Sequence, residues 1–101
     1  MITTGHLAKR FPLLKPHLNE LFSLSYDPNT IDSERYARKA RALAKACANA
    51  MSARETSTAA TQVHTLFVGL HRRLDWSAPV AINAHLIANT LQAADILSEE
   101  G

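Results

Sequence analysis

The chain has 101 residues, enough for a single domain with a modest core. An apolar content of 47% excludes an intrinsically disordered chain. A net charge of +2 and a pI near 9.0 permit an anionic partner without demanding one.

Cys47 is the only cysteine, which excludes an internal disulfide and fits a reducing compartment. Met1–His6 shows no charged segment followed by an apolar run, as a secretory signal would. No continuous apolar stretch approaches the ~20 residues a spanning helix needs. The expected location is the cytoplasm, away from membranes.

The first element is helical but interrupted. Leu7, Phe11, Leu14, Leu18 and Leu21 share one helix face. Pro12 and Pro16 lie within that pattern, and each lacks a backbone donor. A short turn over 4–10, a break near Arg10–Pro12 and a helix over 12–24 are expected. The run from Ser25 to Thr30 contains Tyr26-Asp27-Pro28-Asn29 and reads as a loop.

A second helix is expected over 31–51, with Tyr36, Ala40, Leu43, Cys47 and Met51 as its apolar stripe. Asp32 and Glu34 sit in its first turn, where the helix dipole favours acids. The opposite face carries Arg35, Arg38, Arg41 and Lys45, with Lys39 at the flank. Ser52-Ala53-Arg54-Glu55 matches a capping box and predicts a third helix over 53–74. Its seam is Ala60, Val63, Phe67, Leu70 and Leu74. A tight link at Met51–Ser52 makes these two helices an antiparallel hairpin.

Asp75-Trp76-Ser77-Ala78-Pro79 is the next break, with Ser77 placed to cap a fourth helix over 78–97. Val80, Ala84, Ile87, Leu91 and Ala94 continue the heptad-like spacing, and Ser98–Gly101 reads as a frayed tail. No alternating β-branched run competes. The expected fold is all-α: one domain over 1–101, a small four-helix bundle-like unit built around a central antiparallel helical hairpin.

Few residues suit catalysis. Cys47 lies on an apolar stripe, whereas reactive thiols occupy exposed electropositive sites. His64 and His71 are two turns apart rather than the one turn of a helical metal pair. The chain lacks a Gly-rich phosphate loop, a nucleophile elbow and a cysteine cluster. A binding protein is therefore expected rather than an enzyme, with no catalytic residues, no metal ligands and no cofactor. Trp76 and Phe67 are expected as core or interface anchors.

The basic stripe of the second helix is the feature with chemical content. Arg38, Arg41 and Lys45 lie close together on one face, and guanidinium groups bind phosphate with fork geometry. Tyr26 precedes that helix and could stack a base while the cations hold phosphate. Two plainer readings stand beside this one: a solvated basic face, and a tyrosine that fastens the loop to the core.

Three segments carry a resemblance: Tyr26-Asp27-Pro28, Glu34-Arg35-Tyr36-Ala37-Arg38-Lys39-Ala40-Arg41 and Ser52-Ala53-Arg54-Glu55-Thr56-Ser57. In order and approximate spacing, residues 25–74 resemble a phage helical-hairpin family that sequesters the cyclic oligonucleotide signals of bacterial anti-phage systems. The chain departs from that family at Asp27, where the family has His, and at Phe67–His71, where it has Met-Trp-Ala-Asn-Ala. The resemblance implies a homo-oligomeric sponge in the host cytoplasm. It would bind a cyclic di- or trinucleotide between protomers without cleaving it. Tyr26, Arg38, Arg41, Lys45 and Arg54 are the matching ligand-binding positions.

Two other classes compete. One is a protein-interaction module, such as a phage or plasmid inhibitor of a host complex, using the apolar seams of the third and fourth helices. The other is a weak nucleic-acid binder, disfavoured because five cations on one helix are few for tight duplex binding.

Overall fold

The computed structural model describes residues 4–26, 32–52 and 57–99. Outside these residues fall most of the expected 25–30 loop, Arg54 with most of the Ser52–Glu55 capping box, and residues 100–101. The side chains of Tyr26 and Ser52 lie outside the description as well.

The described chain is all-helical and bundle-like. It runs α1 (Gly5–Arg10), a 3-10 turn (Pro12–Leu14), α2 (Lys15–Tyr26), α3 (Ser33–Ser52), α4 (Thr58–Arg73) and α5 (Val80–Glu99). No helix among the described residues is long and apolar enough to cross a membrane.

The break falls where the prolines place it. Pro12 pushes the preceding residue out of the helical region, and Phe11 sits at φ −125, ψ 77. Its ring is nevertheless buried, so the chain bends without surrendering that anchor. Pro16 causes no second break, because it lies in the first turn of α2 where its missing N–H costs nothing. Helix α2 continues through Ser25 and Tyr26, beyond the expected end at Leu24, and the Ser25 hydroxyl donates to the Phe22 carbonyl.

Helices α3 and α4 form the antiparallel hairpin and pack together more extensively than any other pair. Their register is visible in two places. His64 contacts the Ala48 carbonyl at 2.8 Å, while His71, one heptad on, lies in the field of Arg41 and Lys45. Both expected seams are buried: Tyr36, Ala40, Leu43, Cys47 and Met51 from α3, and Ala60, Val63, Phe67, Leu70 and Leu74 from α4. Ala37, Ala44 and Ala48 are buried as well, and their small side chains let the helix backbones approach closely. Burying each large side chain, Phe67 or Leu70 for example, contributes about 1.5–3 kcal/mol.

Two helix starts differ from expectation. Helix α4 begins at Thr58 rather than 53, and its cap is Ser57, whose hydroxyl accepts the Ala60 amide at 3.2 Å. Helix α5 begins at Val80, and Ser77 does not cap it. Both the Ser77 amide and hydroxyl instead donate to the Asp75 carboxylate, at 2.9 and 2.7 Å. Ser77 is held in the Asp75 turn, three residues ahead of the helix start.

Helix α5 packs on α1, α2 and α4 through Ala84, Ile87, Leu91 and Ala94. The seams of α4 and α5 are therefore consumed within one chain. Ser98 and Glu99, expected in a frayed tail, are helical, and Ser98 is buried with its hydroxyl donating to the Ala94 carbonyl. Asp95, also buried, reaches the other end of the chain. Its Oδ1 accepts the Leu7 amide at 2.8 Å and its Oδ2 pairs with His6 Nδ1 at 3.1 Å. Helix α1 has no cap from its own flanking side chain, so α5 supplies one.

Candidate functional site

The basic stripe comes from the phase of α3. With Tyr36, Ala40, Leu43 and Cys47 committed to the core, Arg38, Arg41 and Lys45 must face outward. Asp32 starts the helix, its Oδ1 accepting the Arg35 amide at 2.9 Å, and this fixes where each cation points.

Arg38 and Arg41 share an open concavity of about 260 Å³ with Glu34 and Trp76. Trp76 belongs to the loop between α4 and α5, and it is 57% exposed. Of the two roles expected for it, core or interface anchor, the exposure excludes the first. Its placement follows from turn chemistry. The Asp75 carboxylate takes both donors of Ser77, and the Asp75 carbonyl accepts the Ala78 amide at 3.1 Å. The residue between Asp75 and Ser77 is left on the outside of the turn. Fully buried Asn83 of α5 holds the Asp75 backbone from below. The indole thus projects from a fastened loop onto the start of α3.

The electrostatics of this corner are one-sided. Arg38 pairs with Glu34 at 2.7 Å across one helical turn. Both groups are exposed, so that pair is worth only about 0.3–0.5 kcal/mol and yields readily to a better acceptor. The Asp75 carboxyl is held below its ordinary range by the Ser77 amide and hydroxyl, with desolvation opposing. Its charge is turned into its own loop. Arg41 has no carboxylate partner among the described residues.

His71, on α4 opposite Arg41, registers the excess of positive charge. Its pKa is lowered, first by desolvation and then by Arg41, Lys45 and Arg72. The imidazole stays neutral at pH 7, able to donate one hydrogen bond without adding to the repulsion. The concavity therefore offers two guanidinium groups, the Glu34 carboxylate and a planar indole, with Lys45 and the neutral His71 imidazole further along the same side. That combination suits a phosphate joined to a flat ring.

Of the expected ligand positions, Arg38 and Arg41 come together around Trp76, and Lys45 lies about one turn further along α3 beside His71. The Tyr26 side chain and Arg54 lie outside the described residues. Trp76 and His71 were not among the expected site residues. The signal for Trp76 was the Asp-x-Ser turn that flanks it; His71 carried no local signal.

Two ionisable side chains of the core are enclosed. Cys47 is fully buried, and burial pushes its thiol up to about 12, so the thiolate is scarce at neutral pH. The Tyr36 hydroxyl is likewise raised to about 12 by burial and donates to the Leu24 carbonyl. No group of three or more His, Cys, Asp or Glu side chains among the described residues is placed to hold a metal.

No protein-family model matches the chain, and no curated protein or solved structure proves similar to it.

Proposed function

We propose that this protein is a non-enzymatic binder that sequesters a phosphate-bearing planar ligand at the Trp76 corner, with a cyclic oligonucleotide as the preferred form. One observation carries the reading: Arg41, without a carboxylate partner among the described residues, and the exposed ring of Trp76 line the same concavity. Phosphate replaces Glu34 on Arg38 and engages Arg41. The base lies on the indole, a contact worth about 1–3 kcal/mol per base. Lys45 extends the cationic track to a second phosphate, which favours a ligand with several phosphates. The resemblance of residues 25–74 to cyclic-oligonucleotide sponges agrees with this choice.

The chain contains one tryptophan, so its fluorescence reports on the corner directly. Titration with cyclic di- and trinucleotides, a linear dinucleotide and inorganic phosphate tests the proposal. The expected result is saturable quenching by a cyclic member, with Arg41→Ala weakening affinity roughly tenfold, as loss of a charge-assisted contact of about 1.5–3 kcal/mol requires. Trp76→Phe retains a ring and loses less affinity than Trp76→Ala, measured by calorimetry. Absence of heat and of quenching across the panel at high protein concentration would remove this reading.

A further inference from the structure

Helix α5 carries two stripes. The inner one, Ala84, Ile87, Leu91 and Ala94, is buried in the core. The outer one, Ile82, Leu86, Asn89, Ala93 and Ile96, follows spacings of four, three, four and three on the opposite face. Ile82 and Ile96 are 53% and 51% exposed. Leu86 and Ala93 are half-buried, and Asn89 is exposed. No Asp, Glu, Lys or Arg interrupts this stripe.

The two isoleucines of the outer stripe are symmetric about Asn89, and Leu86 and Ala93 miss that symmetry by one residue, about 1.5 Å along the helix. Ile82 lies seven residues before it and Ile96 seven after; Leu86 lies three before and Ala93 four after. A two-fold axis through Asn89, perpendicular to the helix, sets Ile82 of one protomer against Ile96 of the other, and the reverse. Leu86 then meets Ala93, a large residue against a small one. Asn89 meets its own copy, and a primary amide carries both donor and acceptor, so it satisfies itself. Such self-complementarity is what a two-fold interface requires and what an unrelated partner does not. A lone polar residue in an apolar seam also fixes the register.

We infer that the outer face of α5 is the contact surface for a second copy of this chain, packed antiparallel about Asn89. The inference does not rest on the ligand reading. A 20-residue helix spans about 30 Å, and one helix pair buries less than the roughly 800 Å² per partner of a standard interface. The dimer is therefore weak and concentration-dependent.

Sedimentation of the full chain should show a mass rising from 11.1 kDa toward twice that value with concentration. Single cysteines then read the geometry, since buried Cys47 does not compete for a short bis-maleimide. Asn89→Cys should cross-link to itself. Ile82→Cys and Ile96→Cys should each fail alone, because 14 residues place the two copies about 21 Å apart along the helices. Mixing those two variants should restore the link. Ile82→Glu with Ile96→Glu should give a monomer with unchanged helical circular dichroism; should that variant misfold, the cysteine pattern still decides. A mass of 11.1 kDa at every concentration, or any cross-linking pattern not centred on Asn89, overturns the inference.

Discussion

Asn83 holds the backbone of Asp75 from both sides: its Oδ1 accepts the Asp75 amide at 3.1 Å, and its Nδ2 donates to the Asp75 carbonyl at 2.8 Å. The side chain is fully buried, so these bonds replace water at both polar ends. They tie a loop residue to α5 and thereby set the position of its neighbour Trp76.

Asn83→Leu should cost about 1–3 kcal/mol, because it leaves the Asp75 amide and carbonyl without their buried partner. Urea denaturation measures the loss. Trp76 anisotropy should fall in the same variant while helical circular dichroism holds. Wild-type anisotropy would show that the loop is fixed by Ser77 alone.

The fold was legible where burial is apolar and periodic. Tyr36 to Met51 and Ala60 to Leu74 announce their inner faces through spacing, and the core takes them as written. Pro12 announces the break. Asn83, Asp95 and Ser98 could not be found this way, since a hydrophobic period is silent about polar residues whose partners are backbone groups elsewhere. The start of α4 shifted because a plausible capping box at Ser52 and a simple cap at Ser57 look equally good locally. At the candidate site, Arg38, Arg41 and Lys45 followed from the phase of α3. Trp76 and His71 did not, because their nearness to those cations exists only once α4 and its loop fold back.

His71 should titrate below 6.5, since desolvation and then Arg41, Lys45 and Arg72 disfavour its charged form. The unfolded chain thus binds the proton more tightly, and stability falls as pH drops from the unfolded value near 6.5 through the lower folded one. Arg41→Ala should raise the His71 pKa, and a bound phosphate should raise it too. Imidazole NMR shifts across pH 4–8 provide the check, and a value unmoved by Arg41→Ala would contradict the described proximity.

Asp95→Ala should destabilise the protein by about 1–3 kcal/mol, because the Leu7 amide loses a buried charged acceptor. Asp95→Asn keeps an acceptor and should cost less. His6→Ala should cost under about 1 kcal/mol, since that side chain is half-exposed. Thermal melts order the three variants; equal costs for His6→Ala and Asp95→Ala would make the His6 contact, not the cap, the main contribution.

The Asp95–Leu7 bond spans 88 positions of sequence, so it also orders events in time. The α3–α4 hairpin closes over a short link and can assemble from neighbouring residues alone. The Leu7 amide of α1 cannot meet its Asp95 acceptor until α5 arrives from the far end of the chain. Closing that long loop costs more chain entropy than closing the hairpin, so docking of α1 belongs to the late, slow side of the folding barrier. A nascent chain released before Asp95 emerges would carry a formed hairpin and an unsettled first helix.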